Sequence, residues 1–313
     1  MIYLLFPTPA EFEPLSLLMS SPDAVMLGRR YGVSGRLAGR DVTAVVSGVG
    51  QANTAMTLAA LLEKGDAELV VLGGCAGAYP GSGLVIGDVA IATREVYAEL
   101  GVEAPCGWMP LSGIGLPLLD IDGVRYYESF DLPVLYPPPP REEGRVGVNI
   151  SPPLLPGEGV GGEGVPLVGG EGVPTGFMGF VSSSPSPPAG EGGRGAGGVS
   201  SMLPLPSVPS REGRGGYMAG MVPGFKVISG PFLTVSTISG TAARGAELFA
   251  RYGALCENME GAAAAQVAAL YGVPFAEVRG ISNMVEDRNR DAWDIPSATA
   301  NCAVVIERIV GSL

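Results

Sequence analysis

Glu257-Asn258-Met259-Glu260-Gly261-Ala262-Ala263, read with Val278-Arg279-Gly280-Ile281-Ser282-Asn283, decides how this chain folds. The first stretch lays a carboxylate, Glu260, in the first turn of a small-residue helix, where exposed N–H groups and the helix dipole favour an anion. Gly261 and the four alanines after it let that helix lie close against a sheet. The second stretch ends a mostly apolar run, Val273 to Val278, in a polar turn. A helix start and a strand end that both carry polar groups are where an α/β sheet builds a small-molecule site.

The flanking sequence repeats this alternation. Ile2 to Phe6 reads as a buried strand, followed by Pro7-Thr8-Pro9 and a helix from about Ala10 to Met19. Val42 to Ser47 is a strand, and Ser47-Gly48-Val49-Gly50 turns into a helix from Gln51 to Leu62. Leu69 to Leu72 is a strand closed by Gly73-Gly74-Cys75-Ala76-Gly77, and Val89 to Thr93 is another. Phe232 to Ile238, a helix over Ala242 to Tyr252, a helix over Met259 to Leu270 and a closing amphipathic helix from Pro296 to Ile309 complete the pattern. Apolar runs without strict alternation indicate a sheet covered on both faces.

The pattern breaks over residues 137–223. Four consecutive prolines open that stretch, and Gly-Glu-Gly-Val recurs at 157, 162 and 170. So few apolar side chains cannot offset the entropy of ordering the chain, so a disordered insertion in a single domain is expected.

Composition excludes several functions. The chain of 313 residues has no histidine, which removes Ser-His-Asp and Cys-His catalysis and His-ligated zinc. A net charge of −12 argues against nucleic-acid or anionic-membrane partners. The four cysteines are scattered as reduced thiols. Met1 to Phe6 is apolar but reads as a strand and not a leader, so a soluble cytoplasmic protein is expected. Chemistry must then run on carboxylates, amides, hydroxyls and Arg. Ser47 to Asn53 lacks the third glycine of a dinucleotide fingerprint, and that function is set aside.

The Met-Glu-Gly-Ala helix and the Arg-Gly-Ile-Ser-Asn strand end resemble the purine nucleoside phosphorylase and nucleosidase superfamily. The resemblance spans about Met1 to Val102 and Phe232 to Leu313, and is nearest to the branch that hydrolyses futalosine. It implies a three-layer α/β/α phosphorylase/hydrolase-like fold around a central mixed sheet, with no metal or cofactor and homodimers or larger homo-oligomers. It implies that Glu260 accepts hydrogen bonds from the ribose hydroxyls, with Met259 under the sugar. A Glu after the first strand would activate water; aligned on that strand, Glu13 is the better match and Glu11 the reserve. Adenine-specific members place Asp where Asn283 stands. An amide can donate to a 6-oxo group and accept from a protonated N7, which suits hypoxanthine. Cys75, Ala76 and Gly77 would line the pocket, and Ser239 and Gly240 would contact the base. Phosphorylases carry an Arg where this chain has Leu72, and losing that phosphate clamp points to water as nucleophile. The substrate's carboxylate needs a cation, for which Arg279 and Arg288 are candidates. The reading is hydrolysis of the N-ribosidic bond, a step towards menaquinone. Its rivals are a 6-oxopurine nucleoside phosphorylase, another purine nucleosidase, and a non-catalytic nucleoside-binding protein.

Overall fold

Glu277, Arg279 and Ile281 point to one face of a long buried strand and Val278, Gly280 and Ser282 to the other, by the period-two alternation of extended chain. That strand anchors a computed structural model that describes residues 1–27, 29–105, 107–133 and 224–313. The expected insertion at 137–223, and Cys106, lie outside the described residues.

In chain order the elements are β1 (Ile2–Phe6), α1 (Pro9–Ser16), β2 (Ser20–Leu27), β3 (Arg30–Leu37), β4 (Arg40–Val46), α2 (Gln51–Leu62), β5 (Leu69–Ala78) and β6 (Val89–Tyr97). A peripheral stretch follows: β7 (Gly101–Ala104), β8 (Gly107–Pro110), α3 (Leu111–Ile114), β9 (Leu119–Ile121), β10 (Val124–Tyr126) and β11 (Ser129–Asp131). The last group is β12 (Val227–Thr234), α4 (Ala242–Tyr252), β13 (Cys256–Asn258), α5 (Gly261–Tyr271), β14 (Phe275–Met284) and α6 (Ile295–Gly311).

Ten strands make one mixed sheet. β1 lies parallel between β4 and β5, and the β2–β3–β4 meander extends that edge. At the other end the sheet closes on itself. β14 runs parallel to β5 and antiparallel to β6, β6 pairs with β12, β12 with β13, and β13 returns to β5. This ring forces polar side chains at the ends of β13 and β14 to meet.

Helices cover both faces, as the apolar runs require. α6 buries Cys302, Val305, Ile306, Ile309 and Val310 with Val278 and Phe6, each aliphatic side chain contributing about 2 kcal/mol. On the other face, Ala262 to Ala265 of α5 pack with Leu58 and Leu61 of α2 against Leu5, Val70 and Leu72. Close packing is absolute at Gly280, where a Cβ would collide with the Ala298 backbone.

Two expectations about element ends change. Gly73 to Gly77 and Arg279 to Asn283 read as turns, yet β5 and β14 run through them. Loops at those points would leave buried backbone groups unpaired, whereas the parallel ladder from Phe275↔Val70 to Met284↔Ala78 pairs them. α1 ends at Ser16 and not Met19, because the chain turns into β2. No helix of the described residues is long and apolar enough to cross a membrane.

Candidate active site

Asn258 caps α5, and Glu260 does not. The Asn258 Oδ1 accepts from the Glu260 and Gly261 amides at 2.8 and 2.7 Å, and the Ala262 amide donates to Thr234 Oγ1 at 2.7 Å. With those N–H groups engaged, Glu260 occupies the cap position without capping, and its carboxylate turns elsewhere. Oε1 accepts from the Gly50 amide at 2.9 Å, and Oε2 takes the Arg279 Nη2 at 3.1 Å. The Gly48–Gly50 turn thus presents a backbone donor to Glu260. Burial pushes the Glu260 pKa up, against the pull of Arg279 and the Gly50 amide.

Arg279 is the hub. Its Nε donates to Glu277 Oε1 at 2.7 Å, its Nη2 to Glu260 and Asn258, and its Nη1 to the Cys75 carbonyl at 3.3 Å. Burial pulls its pKa down, but Glu277, Glu260 and Glu11 outweigh that and keep it charged. At 1% exposure and with its donors engaged, it is not placed to receive a substrate carboxylate. The expectation that it might do so gives way to a supporting role.

The other carboxylate at this centre is Glu11. Its Oε1 accepts from the Cys75 amide at 3.0 Å and the Cys75 thiol at 3.3 Å, and its Oε2 from the Thr8 hydroxyl at 2.6 Å. Thr8 in turn caps α1 through the Glu11 amide, the Thr-x-x-Glu signal of a helix start. A Cβ at Gly74 would strike both Glu11 Oε1 and Arg279 Nη1, so a glycine there lets the two approach. Glu13 is two residues along the same helix, and residues two apart do not share a face. The face that meets β5 carries Glu11. Burial and then Glu11 push the Cys75 thiol up to about 12, so it is a hydrogen-bond donor here and not a thiolate.

A register shift between Ile281 and Asn283 re-aims the end of β14. It sets the Asn283 amide against Gly77, with Oδ1 accepting from Ser282 Oγ at 2.9 Å and Nδ2 donating to the Met284 carbonyl. A small pocket beside it is lined by Ser239, Asn283, Met284, Arg288 and Trp293. Ser239 is fixed there by Glu257, which accepts from its amide at 2.8 Å and its hydroxyl at 2.7 Å; Glu257 also takes the Tyr79 hydroxyl. The Gly240 carbonyl accepts the Arg288 amide, and the Arg288 guanidinium lies exposed over Trp293 at 5.1 Å. Ala76 is buried and gives its carbonyl to Ser282, while Met259 is half-exposed beside Glu260. Leu72 is core.

Residues 2–129 and 212–311 match the phosphorylase superfamily. The chain belongs to that superfamily. Among curated relatives, futalosine hydrolase of Streptomyces coelicolor is 53% identical over 72 residues, 23% of this chain and 31% of that protein. That of Acidothermus cellulolyticus is 46% identical over 81 residues, 26% of this chain and 32% of that protein. The chain thus spans about a third of the length of both. That of Thermus thermophilus is 27% identical over 274 residues, 88% of this chain and 83% of that protein. The solved 5′-methylthioadenosine/S-adenosylhomocysteine nucleosidase of Neisseria meningitidis, in complex with methylthio-immucillin-A, superposes with a TM-score of 0.62 at 18% identity, covering 100% of this chain and 99% of that one. It shares the fold.

The sequence alone assigned no role at this centre to Glu257, Asn258, Glu277 or Thr234. One signal was present: Glu277 and Arg279 are charged side chains two apart in an otherwise apolar strand, which demands a buried partner.

Proposed function

We propose that this chain hydrolyses the N-ribosidic bond of futalosine, releasing hypoxanthine and dehypoxanthinyl futalosine, on the route to menaquinone. The observation that carries the reading is the convergence of Glu11, Glu260 and Arg279 beside Cys75 on β5, with Asn283 at the end of β14, the strand that carries Arg279. The futalosine hydrolases among its relatives support it.

Glu11 replaces Glu13 as the base. A carboxylate has about four acceptor sites, and Cys75 and Thr8 engage three of them on Glu11. The one remaining accepts from the attacking water. As the C1′–N9 bond lengthens its electrons go to the base, and the sugar acquires oxocarbenium character. Water then adds at C1′ and gives its proton to Glu11. Glu260, held by Arg279 and Gly50, orients the ribose hydroxyls and stabilises the cation, with Met259 against the sugar. Asn283 donates to the 6-oxo group, and N7 is protonated through water because an amide cannot serve as the acid. Ser239 and Gly240 flank the base, and Arg288, exposed in the same pocket as Ser239 and Asn283, is assigned to the substrate carboxylate.

Hypoxanthine release from futalosine and from inosine, each with and without phosphate, tests this. Phosphate-independent release from futalosine alone supports the hydrolase. Phosphate is a needed arm because Arg30 lies beside the Gly48 turn, bonded to Asn53 at 2.8 Å. Release from inosine only with phosphate would make the chain a phosphorylase. Tight binding without release would make it a nucleoside-binding protein.

A further inference from the structure

Behind Arg279, away from the sugar side, two more carboxyl groups are buried together. Glu95, on β6, and Glu277, on β14, are both 0% exposed. A Cβ on Gly261 would strike an oxygen of each, Glu277 Oε2 and Glu95 Oε2. The two oxygens therefore crowd one point under the first turn of α5, in room that only glycine leaves. Glu277 Oε1 is ion-paired to Arg279 at 2.7 Å, while its Oε2, like Glu95 Oε1, has no hydrogen-bond partner among the described residues. Glu95 Oε2 accepts from Thr234 Oγ1 at 3.0 Å, the same hydroxyl that receives the Ala262 amide. Two anions cannot sit this close in a dry site with one guanidinium already shared among Glu277, Glu260 and Glu11.

We propose that Glu95 and Glu277 share one proton as a carboxyl–carboxylate pair, and that this pair is the positioning element holding Arg279 against Glu260 and the Cys75 carbonyl. Glu95 is the acid and Glu277 the anion, so the pair carries one negative charge. Arg279 is neutralised from behind by Glu277, and its Nη1 and Nη2 are aimed at the site. Titratable and charged groups that meet the pair are Arg279 on β14, Tyr97 on β6, Cys256 on β13 and Glu260 on α5; of these the Glu260 carboxylate opposes a second negative charge and Arg279 favours it. Burial first, and Glu277 next, push Glu95 well above the ordinary carboxylate range, in accord with the geometry. The positioning role, unlike the pair itself, rests on the proposed hydrolysis.

The experiment is infrared difference spectroscopy of the full chain at neutral pH, on wild type and on Glu95→Leu, Glu95→Gln, Glu277→Leu and Glu277→Gln. Half-buried Glu128→Gln, away from this cluster, is the control. Wild type should show a deuterium-sensitive protonated-carboxyl stretch that disappears in Glu95→Leu, shifts in frequency in Glu277→Leu because the acid loses its carboxylate partner, and is unchanged in Glu128→Gln. In turnover, Glu95→Leu and Glu277→Gln should lower kcat by roughly tenfold or more, the scale seen where a group orients functional ligands. Glu95→Gln, whose amide donates as the acid does, should restore most of it. Absence of the band in wild type, its survival in Glu95→Leu, or an unaltered frequency in Glu277→Leu overturns the pair. Failure of Glu95→Gln to rescue overturns the positioning role. Should the leucine variants not fold, the wild-type and glutamine spectra still decide. Should wild type release no hypoxanthine, the reaction reading fails while the infrared result stands.

Discussion

Arg279 and Glu260 form a buried ion pair, Nη2 to Oε2 at 3.1 Å, with side chains 1% and 5% exposed. The charges come from β14 and from the cap of α5, so the pair couples the end of a strand to the start of a helix. Removing one partner from such a pair leaves an uncompensated buried charge, which is costlier than the pair is stabilising. Arg279→Leu should therefore destabilise the fold by about 4 kcal/mol and abolish turnover. Arg279→Lys should recover part of the stability but little kcat, because an ammonium cannot span Glu277, Glu260 and Cys75 at once. Urea denaturation beside steady-state kinetics checks this, and full activity in Arg279→Lys would refute the hub role.

Glu11→Gln keeps the volume and loses the base, so kcat should fall by roughly 10²- to 10⁴-fold with KM little changed. Glu13→Gln should stay within about threefold, an ordinary result for a side chain outside the chemistry. If the two effects come out reversed, the base is Glu13 and α1 presents its other face during turnover.

Asn283→Asp replaces a donor with a second acceptor at the base. Selectivity should move from the 6-oxopurine towards the 6-aminopurine nucleoside by at least about tenfold in the ratio of kcat/KM values, since a mismatched buried polar group is left unpaired. Competition between futalosine and its 6-amino counterpart measures the ratio, and an unchanged ratio would remove Asn283 from base recognition.

Glu260 gives the pH prediction. Its folded pKa is raised above the ordinary 4.5, with burial the main cause. The protonated form is thus favoured in the fold, and its contribution to stability is full below pH 4.5 and lost as pH rises through the folded value. Ribose binding needs the anion. The acidic limb of kcat/KM should therefore lie above pH 4.5, and Glu260→Gln should both flatten the stability loss across that window and abolish activity. An acidic limb at or below 4.5 counts against an essential Glu260 carboxylate.

Gly280→Ala sets a methyl group into the Ala298 backbone. Backbone cannot swing aside as a side chain does, so α6 must shift off the sheet, at about 3 kcal/mol, the upper part of the overpacking range. A thermal melt measures it, and an unaltered Tm would mean α6 yields more easily than its packing implies.

The sequence by itself determined a sheet covered on both faces and the helices at Gln51–Leu62 and Ala242–Tyr252. Those follow from periodicity, turn residues and a helix start, all of which act within a few residues of chain. Only the tertiary structure brought Glu11 against Cys75, because a helix offers both Glu11 and Glu13 and the face meeting β5 is set by packing. It also decided that Arg279 faces inward and that β5 and β14 continue through their glycines. Buried charges and unpaired backbone groups find their partners across the ring of strands, from residues far away in sequence, and local pattern carries no record of those pairings.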